Sequence, residues 1–227
     1  MISVLSTLAV QGALPSLIDD YGHATGTTIK CEFAPTNGLL ARLAHGQNAD
    51  VALLTRAALD ALVEQGVIVP GSVVDIALSD VGIAVRAGAP KPDISSIDDL
   101  KRALLAARSI AYSKIGASGV FFAGLIERLG IAETVDAKAI IIPTGFTAEL
   151  AAKGEAELAV QQVSELMMVP GIEVVGPLPP GAESVTMFSG GVLQGSKQRE
   201  AGTAILAHLR SPPAQVALRA AGLRPAL

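Results

Sequence analysis

Small polar side chains recur at one kind of place in this chain, where an apolar, strand-like run hands over to the next element. Ser6 and Thr7 close ISVLST, and Thr36 and Asn37 follow TIKCEFAP. Ser113, Lys114, Ser118 and Gly119 lie in and around the turn of SIAYSKIGASG, Thr144 and Gly145 follow AIIIP, and Gln161 and Gln162 close AELAVQQ. Any one of them reads as an ordinary helix cap or turn residue. Together they gather hydroxyl, amide and backbone N–H donors at the C-terminal ends of several strands, with few carboxylates among them. Such a donor set suits an anion. A desolvated oxyanion or carboxylate needs several hydrogen bonds, and fixed backbone donors supply them without ordering a long side chain. The turn from Lys114 to Gly119 adds the unpaired N–H groups of a helix start, and its small residues allow close approach to the backbone. It carries neither the G-x-G-x-x-G nor the G-x-x-x-x-G-K-[ST] pattern of nucleotide loops.

Other chemistries find less support. No G-x-S-x-G occurs, and the three histidines, His23, His45 and His208, have no evident Ser or Cys partner, so a hydrolase is hard to build. The same histidines have no neighbours that would complete a metal site, and no metal and no cofactor are expected. The single cysteine, Cys31, excludes an internal disulfide; it reads as a small buried apolar residue, with a reactive thiol as the other reading. Asp50 opens a strand and reads as structural. Lys114 is the flexible cation nearest the donor set, and Arg86 reads either as a ligand-facing or as a solvated residue.

The elements that would position these residues follow from hydrophobic periodicity. ISVLST, a helix from about Ala9 to Thr25, TIKCEFAP, a short helix in NGLLARLAHG, ADVALLT and a helix in RAALDALVEQG make a strand–helix alternation, the pattern of a mostly parallel sheet covered on both faces. From Val74, VVDIALSDVGIAVRAG holds two apolar stretches divided at Ser79-Asp80. A second alternation follows, with SSIDDLKRALLAAR, SIAYS, GVFFAGLIERLG, AKAIIIP, TAELAAKG and AELAVQQ, and ESVTMFSGGVLQ reads as a return strand before two terminal helices. The expected fold is α/β with two lobes, each a mixed sheet flanked by helices. Residues 1–80 and 188–227 form lobe 1 and residues 81–187 lobe 2, with ligand in the cleft between them and hinges near the two crossings.

Composition bounds the partners. The formal charge is −4 and no Lys/Arg cluster stands out, which argues against nucleic acid. Apolar residues make up 50% of the 227, yet Gly, Pro or charge interrupts every run before the roughly 18 residues of a membrane span. MISVLSTLAV reads as a first strand, not a leader, which places the chain as it stands in the cytoplasm, or in the periplasm if Met1 replaces a removed leader.

The blocks VLSTLA, FAPTNGLLARLAHGQNADVALL, PDISSIDDL, ASGVFFAGLIERLG, TAELAAKGEAELAV and AILAHLRSPPAQVALRAAG resemble, over nearly the full length, the ModA-like molybdate-binding proteins within the type 2 solute-binding fold of bacterial ABC importers. The resemblance implies a monomer with two α/β lobes that binds a small anion through neutral donors. It places Ser6, Thr36, Ser118, Thr144 and Gln162 at the ligand, with an ABC permease as partner if the chain is exported. Thr7 beside Ser6, Gln162 where that family carries a tyrosine, and the charge of Lys114 fit a carboxylated ligand larger than a tetrahedral oxyanion. The same branch includes aconitate isomerase, and this sets an alternative to binding alone: isomerisation of an unsaturated di- or tricarboxylate by allylic proton transfer, with Lys114 as the catalytic candidate.

Overall fold

The computed structural model describes residues 1–226. Two compact units are present: Met1–Ser79 with the segment from Thr186 onward, and Asp80–Val185.

In unit 1, strands β1 (Ile2–Ser6), β2 (Ile29–Phe33) and β3 (Val51–Thr55) pair in parallel in the order β2-β1-β3. Strand β9 (Val185–Val192) adds to β3 in the antiparallel sense, and the first half of β4 (Val74–Arg86) pairs with the short β10 (Arg224–Pro225). Side chains alternate between the faces, as a pleated strand requires. Val4, Val51 and Leu53 point to a core with Leu14, Leu17, Ile205, Leu206 and Leu218, whereas Leu5, Ala52 and Leu54 point to another with Leu39, Leu59 and Leu62. The first core is covered by helices α1 (Leu14–Thr25), α9 (Arg199–His208) and α10 (Pro212–Ala220), the second by α2 (Thr36–Ala44) and α3 (Arg56–Glu64).

Unit 2 takes the second half of β4 as an antiparallel partner of both β7 (Leu158–Gln162) and β8 (Ile172–Pro177). Beyond β7, strands β5 (Ile110–Ser113) and β6 (Ala139–Ile142) continue in parallel. Helices α4 (Ile97–Ala106), α5 (Ala117–Arg128) and α6 (Ala132–Asp136) cover one face over Ile83, Val85, Leu100, Tyr112, Phe122 and Val160. On the other face α7 (Ala148–Lys153) and α8 (Val163–Leu166) lie on a thin layer of Ala84, Ala148, Ala151, Ala159 and Leu166.

Two elements differ from the sequence expectation. The helix expected from about Ala9 is a 3₁₀ turn over Leu8–Val10 followed by α1 from Leu14. Pro15 lies in the first turn of α1, where its missing N–H is no loss; one turn further in it would break the helix. The apolar stretches on either side of Ser79-Asp80 form one unbroken strand, β4. Ser79 is buried within it.

Candidate ligand-binding site

In unit 1 the ladder sets Ser6 level with Phe33 of β2 and Leu53 of β3, so the C-terminal ends of the three parallel strands lie close to one line. Ser6 is fully buried, and its hydroxyl donates to Thr7 O at 3.1 Å. Thr7, also buried, donates its N–H to Leu53 O at 2.9 Å and precedes the 3₁₀ turn. Thr36 is buried at the first position of α2, while Asn37 beside it is exposed. The residue before α2 is Pro35, which caps nothing, so the first-turn amides of this helix have no side-chain acceptor from the cap position. In contrast, Thr55 caps the neighbouring α3 by accepting from Ala58 N at 3.3 Å. The structure therefore brings Ser6, Thr7 and Thr36 to one sheet edge beside an uncapped helix start.

Unit 2 repeats the arrangement. β5 ends at Ser113 opposite Ile142 of β6, and carrying the β5–β7 register on by two residues sets Ser113 level with Gln161. Ser118 is buried in the first turn of α5, whose preceding residue, Gly116, also provides no side-chain cap. Gly119 has a steric role: a Cβ there would stand 1.4 Å from Ser113 O. Only glycine lets the start of α5 sit on the end of β5. Thr144 is exposed in the turn after β6, where Gly145 takes the left-handed φ of +87°. Gln162 is buried at the end of β7, opposite Val81 of β4.

Lys114 lies 3.7 Å from Asp136 Oδ1 and 5.8 Å from the centroid of the Tyr112 ring. Asp136 in turn accepts the Tyr112 hydroxyl at 2.5 Å. Burial, and then this carboxylate, hold the phenol well above its ordinary range. Arg86 is exposed at the other edge of unit 2: the antiparallel register runs from Val81–Gln162 to Ala84–Ala159, which carries Arg86 away from the C-terminal end of β7.

Three polar side chains with partners or burial in unit 2 escaped the sequence reading. Thr147, fully buried, donates its N–H to Gln161 Oε1 at 2.8 Å and its hydroxyl to the same oxygen at 3.0 Å. Gln161 Nε2 donates to Gly145 O at 3.1 Å. Glu165 is buried in α8, and burial pushes its carboxyl up to about 8. Unit 2 thus holds a buried carboxyl, four residues after Gln161 in sequence. No local signal marks it, since a Glu in QQVSEL reads as well on a solvated helix face. Asp136, the third, is equally unmarked in AETVD.

The remaining candidates are structural. Asp50 accepts from Ser3 N at 2.8 Å, Ser3 Oγ at 2.9 Å and Ser196 Oγ at 2.6 Å. Burial opposes its ionisation, yet these bonds leave it below the usual carboxylate range. Burial, then Glu32, push the Cys31 thiol up to about 12, far from the thiolate a nucleophile needs. His45 Nδ1 lies 2.6 Å from Ala41 O and His208 Nε2 3.1 Å from Leu17 O. Among the described residues no group of three His, Cys, Asp or Glu side chains could hold a metal ion.

The chain belongs to the bacterial extracellular solute-binding protein family, whose pattern matches residues 2–224. Within reach of this chain by sequence is an aconitate isomerase from a Pseudomonas species, 39% identical over 230 residues that span 99% of this chain and 87% of that protein. At lower identity the fold alone is shared. The periplasmic molybdate-binding protein of Azotobacter vinelandii is 18% identical with a TM-score of 0.82, over 100% of this chain and 99% of that one. A sulfate-binding protein from Mycobacterium tuberculosis is 16% identical with a TM-score of 0.75, over 99% and 86%. The architecture is thus that of the two-lobed periplasmic binding proteins. No helix among the described residues is long and apolar enough to cross a membrane.

Proposed function

We propose that this protein binds a small unsaturated di- or tricarboxylate and moves its double bond, as an aconitate-isomerase-like enzyme. The observation that carries the reading is the 39% identity to an aconitate isomerase across 99% of the chain. The donors support it: Ser6, Thr7, Thr36 and Asn37 in unit 1, and Ser118, Gly119 N–H, Thr144, Gly145 N–H and Gln162 in unit 2, are hydroxyls, amides and backbone groups suited to carboxylate oxygens. In the reaction a proton leaves the methylene carbon, the double bond shifts by one position, and a proton returns to the former vinyl carbon. The change is redox-neutral and calls for no electron acceptor. Charge that develops on the flanking carboxylate is met by the same donors, and preorganised donors of this kind lower the barrier without reorganising during the reaction.

A second reading, binding without turnover, is favoured by Lys114. Its ammonium lies 3.7 Å from Asp136, and that engagement competes with a proton-carrying role. Under this reading the partner is a small carboxylate or oxyanion, with an ABC permease as the receiving complex.

The test is to incubate the purified protein with cis- and with trans-aconitate in D₂O and follow both by proton NMR. Interconversion with deuterium entering the allylic position is the expected result. A thermal shift by either isomer without interconversion selects the second reading. The absence of both conversion and thermal shift overturns the carboxylate assignment.

A further inference from the structure

The segment between β6 and α7 carries two of the proposed ligand donors and belongs to no strand. In the sheet β5 separates β6 from β7, so the chain must pass β5 to reach α7, which packs on Ala159 of β7. Residues 143–147 make that passage without a ladder to hold them. Among the described residues no acceptor takes the N–H of Thr144, Gly145 or Phe146.

Gln161, buried at the end of β7, supplies the anchor. Thr147 N–H can only donate, so the amide oxygen faces it, at 2.8 Å; Gly145 O can only accept, so the amide nitrogen faces that side, at 3.1 Å. The two contacts fix the flip of the side chain independently, and the Thr147 hydroxyl adds a bond to Oε1 at 3.0 Å. One side chain thus grips the turn on both sides of Phe146. Thr147 and Gln161 are both buried, so no solvent stands in for a lost partner. The grip also sets a direction. Gly145 C=O and Phe146 N–H belong to one planar trans peptide unit and point to opposite sides of it, so holding the carbonyl on Gln161 turns the Phe146 N–H away from that side chain.

We infer that Gln161 is a positioning residue: through Gly145 O and Thr147 it pins the Thr144–Gly145 turn, so that the unpaired amides of the turn are already set when the carboxylate arrives. The inference deepens the proposed function and rests on it for the identity of the ligand, but not for the pinning itself. The required property is a donor and an acceptor at the full reach of a glutamine. Methionine keeps the length and loses both groups, whereas asparagine keeps both and is one methylene short.

The experiment compares Gln161→Met, Gln161→Asn and Thr147→Ser in the full chain, each at a temperature where circular dichroism shows it folded. Aconitate turnover, or aconitate affinity if the wild type binds without turnover, reports on positioning, and hydrogen exchange at Thr147 N–H reports on the turn without any ligand. Gln161→Met is expected to lose roughly ten- to a hundredfold in kcat/KM, the scale of a misplacement of up to about 1 Å, while Thr147→Ser, which keeps the N–H and a hydroxyl, stays within about threefold of wild type. Exchange at Thr147 N–H should rise at least about tenfold in Gln161→Met and not in Thr147→Ser, as expected when a protecting bond is lost. A role in stability alone would lower the urea midpoint of Gln161→Met and leave the kcat/KM of the folded variant at the wild-type value. That result overturns the inference, as does unchanged exchange in Gln161→Met or a Thr147→Ser that loses as much. Should Gln161→Met not fold, Gln161→Asn decides on the same readouts with the same expected losses. A wild-type protein that neither converts nor binds aconitate overturns the proposed function instead, and the exchange ranking then judges the pinning by itself.

Discussion

At the end of β5, Gly119 has no room for a side chain, because a Cβ would meet Ser113 O at 1.4 Å. Backbone is on both sides of that clash, so it is relieved only by lifting the start of α5 from the strand. Gly119→Ala should cost about 3 kcal/mol, the upper range for an overpacked site, read as a shift in urea midpoint. Gly116→Ala is the control: its Cβ would lie 4.0 Å from Ser113 Oγ, an ordinary contact, and should cost no more than about 0.5 kcal/mol. Ser118, buried one residue before Gly119, stands among the donors of the proposed site. Replacing it with alanine should weaken carboxylate binding about tenfold or more, as loss of a hydrogen bond to a charged group does. Calorimetric titration of wild type and Ser118→Ala with the same carboxylate checks this, and equal affinities would remove Ser118 from the site.

Helices differ in how closely they approach the sheets. On the face of unit 2 under α7 and α8, the layer is Ala84, Ala148, Ala151 and Ala159, each fully buried, with Leu166 closing it. Small side chains let α7 lie near the strands, and this brings Thr147 at its start within reach of Gln161 on β7. Ala159→Leu would insert three heavy atoms into that layer and should lower stability by roughly 1–3 kcal/mol. Because the same change displaces α7, exchange at Thr147 N–H should rise in parallel with the drop in urea midpoint. Unit 1 solves the same problem with glycine: a Cβ at Gly190 of β9 would stand 2.2 Å from Leu206 Cδ2 of α9.

For the molecule as a whole, two half-buried aspartates and one buried glutamate set opposite limits on the pH range of stability. Asp50 and Asp75 are held below their ordinary range by Ser and Arg partners that outweigh their burial. The stability they contribute is present above the ordinary aspartate range and is lost as pH falls through their lowered values. Glu165 has the opposite sign. Its folded value of about 8 lies above its ordinary 4.5, so the folded state holds the extra proton between the two, and stability declines as pH rises across that window. Melting temperature should therefore be highest in mildly acidic solution and fall toward pH 9. In Glu165→Gln the alkaline fall should be shallower; an unchanged slope would show that Glu165 ionises normally. A true ligand at about 100 times its Kd contributes about 2.7 kcal/mol, or roughly 5–10 °C for a chain of this size. Screening cis- and trans-aconitate, citrate, sulfate and molybdate by thermal shift should give that response to the carboxylates first.

Periodicity and punctuation alone determined most of the elements and the class of fold. Strand alternation in VALLT and IAYS, helix closure at Gly66 and the first-turn Pro212 are set by local sterics, which act within a few residues of chain. The placement of Ser6, Thr36 and Ser118 where a strand hands over to a helix was legible for the same reason, since a small polar residue there has few places to go. The start of α1 and the unbroken β4 were not, because a proline position and strand pairing override the average pattern. The use made of Gln161, Thr147 and Glu165 was decided only in three dimensions. Burial depends on what packs from elsewhere in the chain, and it turns a glutamate that would be solvated in an isolated helix into a buried carboxyl pushed up to about 8. Asp136 gives the same lesson. Only the packing of α6 against α4 and α5 sets it within reach of Tyr112 and Lys114, residues more than twenty positions away in sequence.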